Sequence, residues 1–304
     1  MTDYEPYPQI TPQDVIIHVN NTSIKKLPCP RAFQFHNVRG YKKAVEDEVL
    51  TIGKAIHKFA QEFTLNKGKH MEALGLASLA YPTVPSDSLV RWCAGRKNIS
   101  LPPPIALDNG KLAVELYFSV PWRRYVSGGV PYVLVLCGTI DLLACAGPSV
   151  VVIDYKSSRR WKLDEITDDY KHDAQFRFYM WNLWKHGHAF LPLMYHNMIR
   201  DWNFCTNVVA VQVGSNRDPK WFKCPPILMN QADMDEFEAL MEDVARETLA
   251  LHLLSEVADA RGKVVGGCKY CEFAPLCHAR TDLDVRSAEK LFVQKNYDPR
   301  HHDE

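Results

Sequence analysis

Residues Gly138 to Lys156 constrain the fold more than any other stretch of the chain. They read Gly-Thr-Ile-Asp-Leu-Leu-Ala-Cys-Ala-Gly-Pro-Ser-Val-Val-Val-Ile-Asp-Tyr-Lys. Ala146, Gly147, Pro148 and Ser149 carry the turn chemistry of a reversal, so two β-strands joined by a tight turn are expected. The second strand, Ser149 to Tyr155, is an apolar run of β-branched residues, as a buried strand requires. It ends in charge. Side chains alternate along a strand, which puts Asp154 and Lys156 on one side. Asp141 lies at the end of the preceding apolar run, and a hairpin can bring it beside Asp154.

Two carboxylates and a lysine in one small space carry a chemical implication. Carboxylate oxygens suit hard divalent cations such as Mg²⁺ or Mn²⁺. Such a metal activates a water and stabilises charge on a phosphoryl oxygen. The lysine can orient that water, deprotonate it, or neutralise the developing charge; nearby carboxylates and a dry pocket push its protonation in opposite directions. A hairpin whose charges simply face water is the plain alternative.

Composition bounds the rest. The chain has 304 residues, of which 46% are hydrophobic and 24% charged, which allows one large domain or two small ones with ample material for a core. Lys plus Arg equals Asp plus Glu at 36 each, so any basic groove for nucleic acid has to be local. No apolar run is long enough to span a membrane, and the polar start Met-Thr-Asp-Tyr-Glu-Pro-Tyr-Pro is unlike an export signal. A reducing cytoplasm is the resulting expectation, and nine cysteines there serve as ligands or buried residues rather than disulfides. The phosphate-cradling motif GxxxxGK[ST] is absent, so no P-loop motor is expected.

Along the chain, residues up to about Asp14 read as an irregular arm. Tyr41 to Leu65 has helical periodicity through Val49, Ile52, Ile56, Phe59 and Phe63, with His57 at the border of that face. Met71 to Ala80 suggests a further helix, and from Tyr81 to Asn109 the pattern breaks, with Pro82, Pro85 and Pro102 to Pro104 making a long connection. Lys111 to Val120 alternates as a half-buried strand, with Glu115 pointing away from the apolar side. With Tyr132 to Leu143 and the hairpin it forms an antiparallel meander. Trp161 to Trp184 reads as a helix on which Gln175 and Tyr179 share a face. One or two strands are expected between Phe190 and Val213, and a long amphipathic helix over Met234 to Ala258. A strand following a helix implies a mixed sheet.

Cys268, Cys271 and Cys277 form a C-x2-C-x5-C pattern in a loop rich in Gly and Pro. That spacing points to metal ligation. Three thiolates leave a four-ligand centre one short, and Cys29, beside Pro30, is the best candidate for the fourth. Zinc and a [4Fe–4S] cluster both accept four thiolates. Zinc sites usually use two close pairs, so the one-plus-three arrangement favours the cluster. Either centre would clasp the two ends of the chain together.

Taken in order, these stretches resemble a RecB-like nuclease of the PD-(D/E)xK superfamily, close to the iron–sulfur exonucleases that include AddB-type and four-cysteine CRISPR-adaptation nucleases. Ser23 to Arg31 resembles the family's opening helix and first cluster cysteine. Gly53-Lys54-Ala55-Ile56-His57 resembles its histidine motif, Gly138-Thr139-Ile140-Asp141 its GxxD motif, and Asp154-Tyr155-Lys156 its DxK core. Gln175-Phe176-Arg177-Phe178-Tyr179 resembles the QxxxY motif, and Cys268, Cys271 and Cys277 the closing triplet. The resemblance implies that His57, Asp141, Asp154 and the Tyr155 carbonyl hold Mg²⁺ or Mn²⁺, and that Lys156 is catalytic. It implies that Gln175 and Tyr179 support the DNA strand or the lysine, and it keeps Glu115 as a further candidate. Where family members often carry a Glu four residues after the histidine, this chain has Gln61.

The resulting expectation is an α/β domain over residues 1–304, with a mixed central sheet flanked by helices in a restriction-endonuclease-like core. Residues 21–40 and 262–280 would form the iron–sulfur clasp. The expected function is a metal-dependent DNA exonuclease acting on single-stranded ends in recombination, repair or replication, with a recombination or helicase partner. Arg159, Arg160 and Trp161 are placed to grip a strand by phosphate contact and stacking. The rival readings are an idle nucleic-acid-binding subunit of a recombination complex and a zinc-stabilised binding module.

Overall fold

The hairpin forms where the turn residues place it, and the sheet is assembled around it. The computed structural model describes residues 7–45, 47–158, 169–170, 173–213, 219–254, 271–279 and 281–294. In chain order its strands are β1 (Val15–Val19), β2 (Tyr41–Lys43), β3 (Val114–Ser127), β4 (Val130–Ala146), β5 (Ser149–Ser158), β6 (Phe204–Gln212), β7 (Trp221–Lys223) and β8 (Phe292–Gln294). Its α-helices are α1 (Asn21–Lys26), α2 (Pro30–Phe33), α3 (Glu48–Leu65), α4 (His70–Ala80), α5 (Ser86–Cys93), α6 (Ala174–His186), α7 (Leu193–Arg200), α8 (Gln231–Leu253), α9 (Ala274–His278) and α10 (Asp282–Glu289).

Ala146 pairs with Ser149, which leaves Gly147 and Pro148 as the turn; Gly147 takes φ +59°, a region that side-chain-bearing residues avoid. Strands β3, β4 and β5 form the expected antiparallel meander. Helix α6 then carries the chain across the sheet, so β6 runs parallel to β5, and β7 closes that edge antiparallel to β6. The result is a mixed sheet in the order β1-β4-β5-β6-β7, with β3 on the other edge of β4.

Both faces are covered. On one side Phe178, Met180 and Trp181 of α6 and Met234, Phe237 and Met241 of α8 pack against Leu134, Leu136, Ile140 and Val152. On the other, Ile52, Ile56 and Phe59 of α3, with Leu89 and Trp92 of α5, cover Leu142, Val151, Ile153 and Tyr155. Among the described residues no helix is long and apolar enough to cross a membrane.

Several expectations change. The irregular arm ends in strand β1, which pairs parallel with β4 from Val15↔Tyr132 to Val19↔Leu136. The helix expected from Tyr41 starts only at Glu48, because Tyr41–Lys43 pairs with Phe292–Gln294 near the other end of the chain. Of the one or two strands expected between Phe190 and Val213 one forms, as β6, and Leu193–Arg200 before it is helix α7. The helix expected from Trp161 is described from Ala174 onward, and residues 161–168 lie outside the described part. Helix α8 begins at Gln231, and the last residues expected in it also lie outside.

The N-terminal arm is pinned at Tyr7, whose hydroxyl lies 3.2 Å from His186 Nδ1 and 3.1 Å from His188 Nε2. Burial pulls the His186 imidazole down to about 3 from its ordinary 6.5, helped by Lys185. An unfolded chain therefore binds more protons than the folded one below that ordinary value, so stability falls as pH drops from about 6.5 toward about 3. We expect this histidine to cost roughly 1–2 kcal/mol at mildly acid pH. Urea midpoints measured from neutral to acid pH should fall more steeply for the wild type than for His186→Gln.

Candidate active site

The sheet opens at one place. Strands β1 and β5 flank the same edge of β4 but in different halves: β1 stops opposite Leu136, and β5 pairs only from Leu142. From Cys137 to Asp141 that edge of β4 has no ladder partner. Beyond Ile153, β5 turns away from β4 and pairs only with β6. The Tyr155 N–H would be orphaned by this divergence, and it donates instead to Asp141 Oδ2 at 2.7 Å. On the opposite edge, the β3 ladder pairs Val114 with Leu142 and Leu116 with Ile140 but skips Glu115, which faces Asp141 with φ +50°. A glutamate in the left-handed region is strained, and such strain concentrates at functional sites.

Two glycines let helices approach this fork. A Cβ on Gly138 would sit 3.0 Å from the Phe118 ring and 3.3 Å from the Tyr179 ring, so its absence lets Tyr179 of α6 lie on β4. A Cβ on Gly53 would meet Ser157 Oγ at 3.2 Å, so α3 passes close to the end of β5. His57 lies four residues further along the same face of α3. Its Nδ1 is 3.4 Å from Asp141 Oδ2.

Opposite His57, α6 supplies a second set of contacts. Asp173 caps the helix by accepting from Gln175 N at 2.8 Å, and Lys25 of α1 holds Asp173 at 2.8 Å. Gln175 Nε2 donates to Asp154 Oδ1 at 2.8 Å and to Tyr179 Oη at 3.2 Å, while its Oε1 accepts from Lys156 Nζ at 3.3 Å. Lys156 Nζ also pairs with Asp154 Oδ2 at 2.7 Å. The structure thus brings together His57, Asp141, Asp154, Tyr155, Lys156, Gln175 and Tyr179, and sets Glu115 across the ladder from Asp141.

Asp154 is only 1% exposed. Burial pushes its carboxyl up to about 6, against the pull of Lys156 and with the push of Asp141. For Lys156, desolvation works toward the neutral amine, but Asp154 and Asp141 more than offset it and raise the pKa, so the ammonium persists. Sequence reasoning missed Tyr170, whose phenol burial raises to about 12; Lys156 and Asp154 both act on it, and its ring packs on Phe176. Only its position shortly before the Gln175 motif hinted at it.

Two carboxylates, that of Asp154 fully buried and that of Asp141 partly so, against one ammonium leave an excess of negative charge, and the available donors are carboxylate oxygen and imidazole nitrogen. That set fits a hard divalent cation in kind. Among the described residues no three His, Cys, Asp or Glu side chains are already closed around a metal-sized point. The Asp154 oxygens are occupied by Lys156 and Gln175, and Asp141 Oδ2 by the Tyr155 N–H.

A model of the PD-(D/E)XK nuclease superfamily matches residues 25–278, which include every one of these side chains. The chain belongs to the PD-(D/E)XK nuclease superfamily. Membership makes nucleic acid the substrate class. Among solved structures, the chain is similar to the protein SSO0001 at 15% identity, with 86% of this chain and 96% of that one covered and a TM-score of 0.30. It is also similar to a candidate exonuclease from Eubacterium rectale at 10% identity, covering 87% and 99% of the two chains with a TM-score of 0.41. A search among curated proteins finds no match.

Away from the fork, Cys29, Cys271 and Cys277 pack in one small cluster with Ala32, Phe35, Phe273 and Phe292. All three are free thiols, and Arg31 Nη1 lies 3.7 Å from Cys277 Sγ. Lys26 pairs with Glu272, and the β2–β8 pairing lies alongside. Cys268 and the Arg159, Arg160 and Trp161 stretch lie outside the described residues.

The close approach at Gly138 gives a direct test. Gly138→Val would force Phe118 and Tyr179 apart, and overpacking of this kind costs about 1–3 kcal/mol. Urea unfolding should show that loss, whereas Gly110→Ala, with nothing within 4 Å of its would-be Cβ, should show only the smaller strain of its φ of +77°.

Proposed function

We propose that this nuclease is a metal-dependent deoxyribonuclease of exonucleolytic type acting on single-stranded DNA ends. The observation that carries this reading is the convergence of His57, Asp141 and Asp154 beside the Lys156 ammonium, in a fork with excess negative charge. His57, the two aspartates and the Tyr155 carbonyl are the proposed ligands of Mg²⁺ or Mn²⁺. When bound, the metal supplies Lewis-acid stabilisation of the scissile phosphate and a more acidic water.

The chain's own groups do the rest. Lys156, kept protonated by its carboxylate neighbours, donates from Nζ to the attacking water or to a phosphate oxygen. Gln175 holds Lys156 and Asp154 in register with each other, and Tyr179 holds Gln175. The Tyr155 N–H fixes the Asp141 carboxylate. Glu115, across the ladder from Asp141, is proposed as an additional acidic group at the rim.

The same reading covers the whole of residues 1–304 as one nuclease domain, with 21–40 and 262–280 as its clasp. Cys29, Cys271 and Cys277 already share one cluster beside Arg31, and with Cys268 they are proposed to hold a [4Fe–4S] centre. Recombination, repair or replication is the proposed setting.

Labelled single-stranded oligonucleotides with Mn²⁺ test the chemistry, with both end-labels to read polarity. Lys156→Ala should lower the cutting rate on the order of 10²–10⁴-fold with the fold intact by circular dichroism. A wild type that binds the strand but never cuts it would leave only the idle-subunit reading. For the clasp, protein purified without air should be brown with about four iron atoms per chain. Cys29→Ala and Cys277→Ala should bleach it and lower its thermal midpoint. Colourless protein carrying zinc would instead assign the zinc centre.

A further inference from the structure

Arg96 is a cation in an unusual place. It lies in the 3-10 turn Ala94–Asn98 after α5 and is only 4% exposed. Among the described residues no carboxylate stands within ion-pairing distance of it. Its guanidinium donates from Nη1 to the Ile99 carbonyl at 3.0 Å and from Nη2 to the Tyr155 hydroxyl at 3.2 Å. The guanidinium carbon lies 5.1 Å from the centre of the Phe63 ring and 5.6 Å from that of Tyr155. Burying an unneutralised charge costs several kcal/mol, and two aromatic faces with two hydrogen bonds recover only part of that. A leucine or methionine would fill the same space without the penalty.

What the arginine touches suggests why it is there. Tyr155 is the residue between Asp154 and Lys156, and its side chain points to the opposite face of the sheet. There the ring is held edge-on by His57 at 6.3 Å and by Trp221 at 6.4 Å between centroids. Trp221 is fixed in turn by donating from Nε1 to the Trp92 carbonyl at 2.6 Å, and by Gly95, whose missing Cβ would sit 3.0 Å from its ring. The backbone of the same Tyr155 donates to Asp141. One residue therefore bears on both the carboxylate of Asp141 and the ring of His57, and its only described hydroxyl partner is Arg96.

We propose that Arg96 is a positioning residue of the nuclease site: by anchoring the Tyr155 phenol from the far face of the sheet, it holds His57 and Asp141 in the arrangement that receives the divalent cation. This rests on the metal-dependent reading above. Arg96 touches neither substrate nor metal; it acts through Tyr155 alone.

The test uses the full chain and Mn²⁺ itself as the probe, with binding read from the electron paramagnetic resonance of free Mn²⁺ and cutting measured in parallel. Tyr155→Phe removes a single oxygen and keeps the ring; Arg96→Met removes the charge and both donors. Each should raise the Mn²⁺ dissociation constant about tenfold, the range for losing a partner that orients a ligand. For Arg96→Met the loss in cutting should be relieved as Mn²⁺ is raised to saturation, because only ligand orientation is lost. The double variant should be no worse than the worse single one, since both cut the same link. Arg96→Lys, which keeps the charge but offers a single donor nitrogen in place of two, should recover part of the affinity. Folding is checked by circular dichroism and urea midpoint, and if Arg96→Met does not fold, Tyr155→Phe decides alone. Unchanged Mn²⁺ affinity in folded variants, or additive losses in the double, would overturn the role of Arg96 while leaving the nuclease reading in place. A wild type that binds no Mn²⁺ would overturn both.

Discussion

A buried strand cannot leave its N–H groups unpaired, and at Tyr155 that requirement is met by the side chain of Asp141 rather than by the backbone of β4. The rest of the site follows from this substitution. Because β5 leaves β4 after Ile153, a gap opens between strands that would otherwise run side by side. The carboxylate bridging the gap is fixed by a backbone donor, which orients it without consuming its charge. A regular ladder would have put Asp141 and Asp154 on a closed surface with no room for a phosphate between them.

The gap is charged asymmetrically, and that asymmetry gives it chemical potential. Asp154 is almost wholly buried, and burial alone would favour its neutral form. Lys156 keeps the ionised form accessible, while Asp141 on the other side of the fork opposes it. Gln175 binds both Asp154 and Lys156, so it couples their positions without adding charge. The helix bearing Gln175 begins at Asp173, which Lys25 holds, and the next residue, Lys26, is paired with Glu272 beside Cys271. The cysteine cluster and the carboxylates are thus joined through a short helix and two ion pairs. Each such pair is worth little alone, but the two act on adjacent residues in the last turn of α1.

Much of this was legible in the sequence, for a physical reason. The hairpin, the meander, and the helices carrying His57 and Gln175 are specified locally, by turn residues and by periodicity. Asp141, Asp154 and Lys156 are close in sequence, so a hairpin suffices to join them. What could not be read depends on distant partners. β1 is a short strand whose identity comes from lying parallel to β4, more than a hundred residues away. Tyr41–Lys43 continues a helical pattern and yet pairs with Phe292–Gln294, because a ladder partner overrides a weak local preference. The stretch from Phe190 to Val213 holds a single strand, β6, and the helix Leu193–Arg200 before it is too short for its periodicity to stand out. Arg96 gave no signal, since an arginine in a polar turn reads as solvated and only the fold buries it.

The spacing of Asp154, Tyr155 and Lys156 acquires a meaning beyond placing two charges on one face. In a strand covered on both sides, the intervening residue must point into the opposite layer. Here that layer is built by α3 and the turn after α5, and it contains Arg96, Trp221 and the edge of His57. The charged pair therefore faces the Gln175 helix while the residue between them is bolted to the His57 helix. Both helices bear on the same two peptide units, so a displacement of either layer is felt at the carboxylates. A single sheet between two helical layers thus brings His57, Asp141, Asp154 and Lys156 together from separate elements, and the residue with no charge of its own, Tyr155, ties the two layers together.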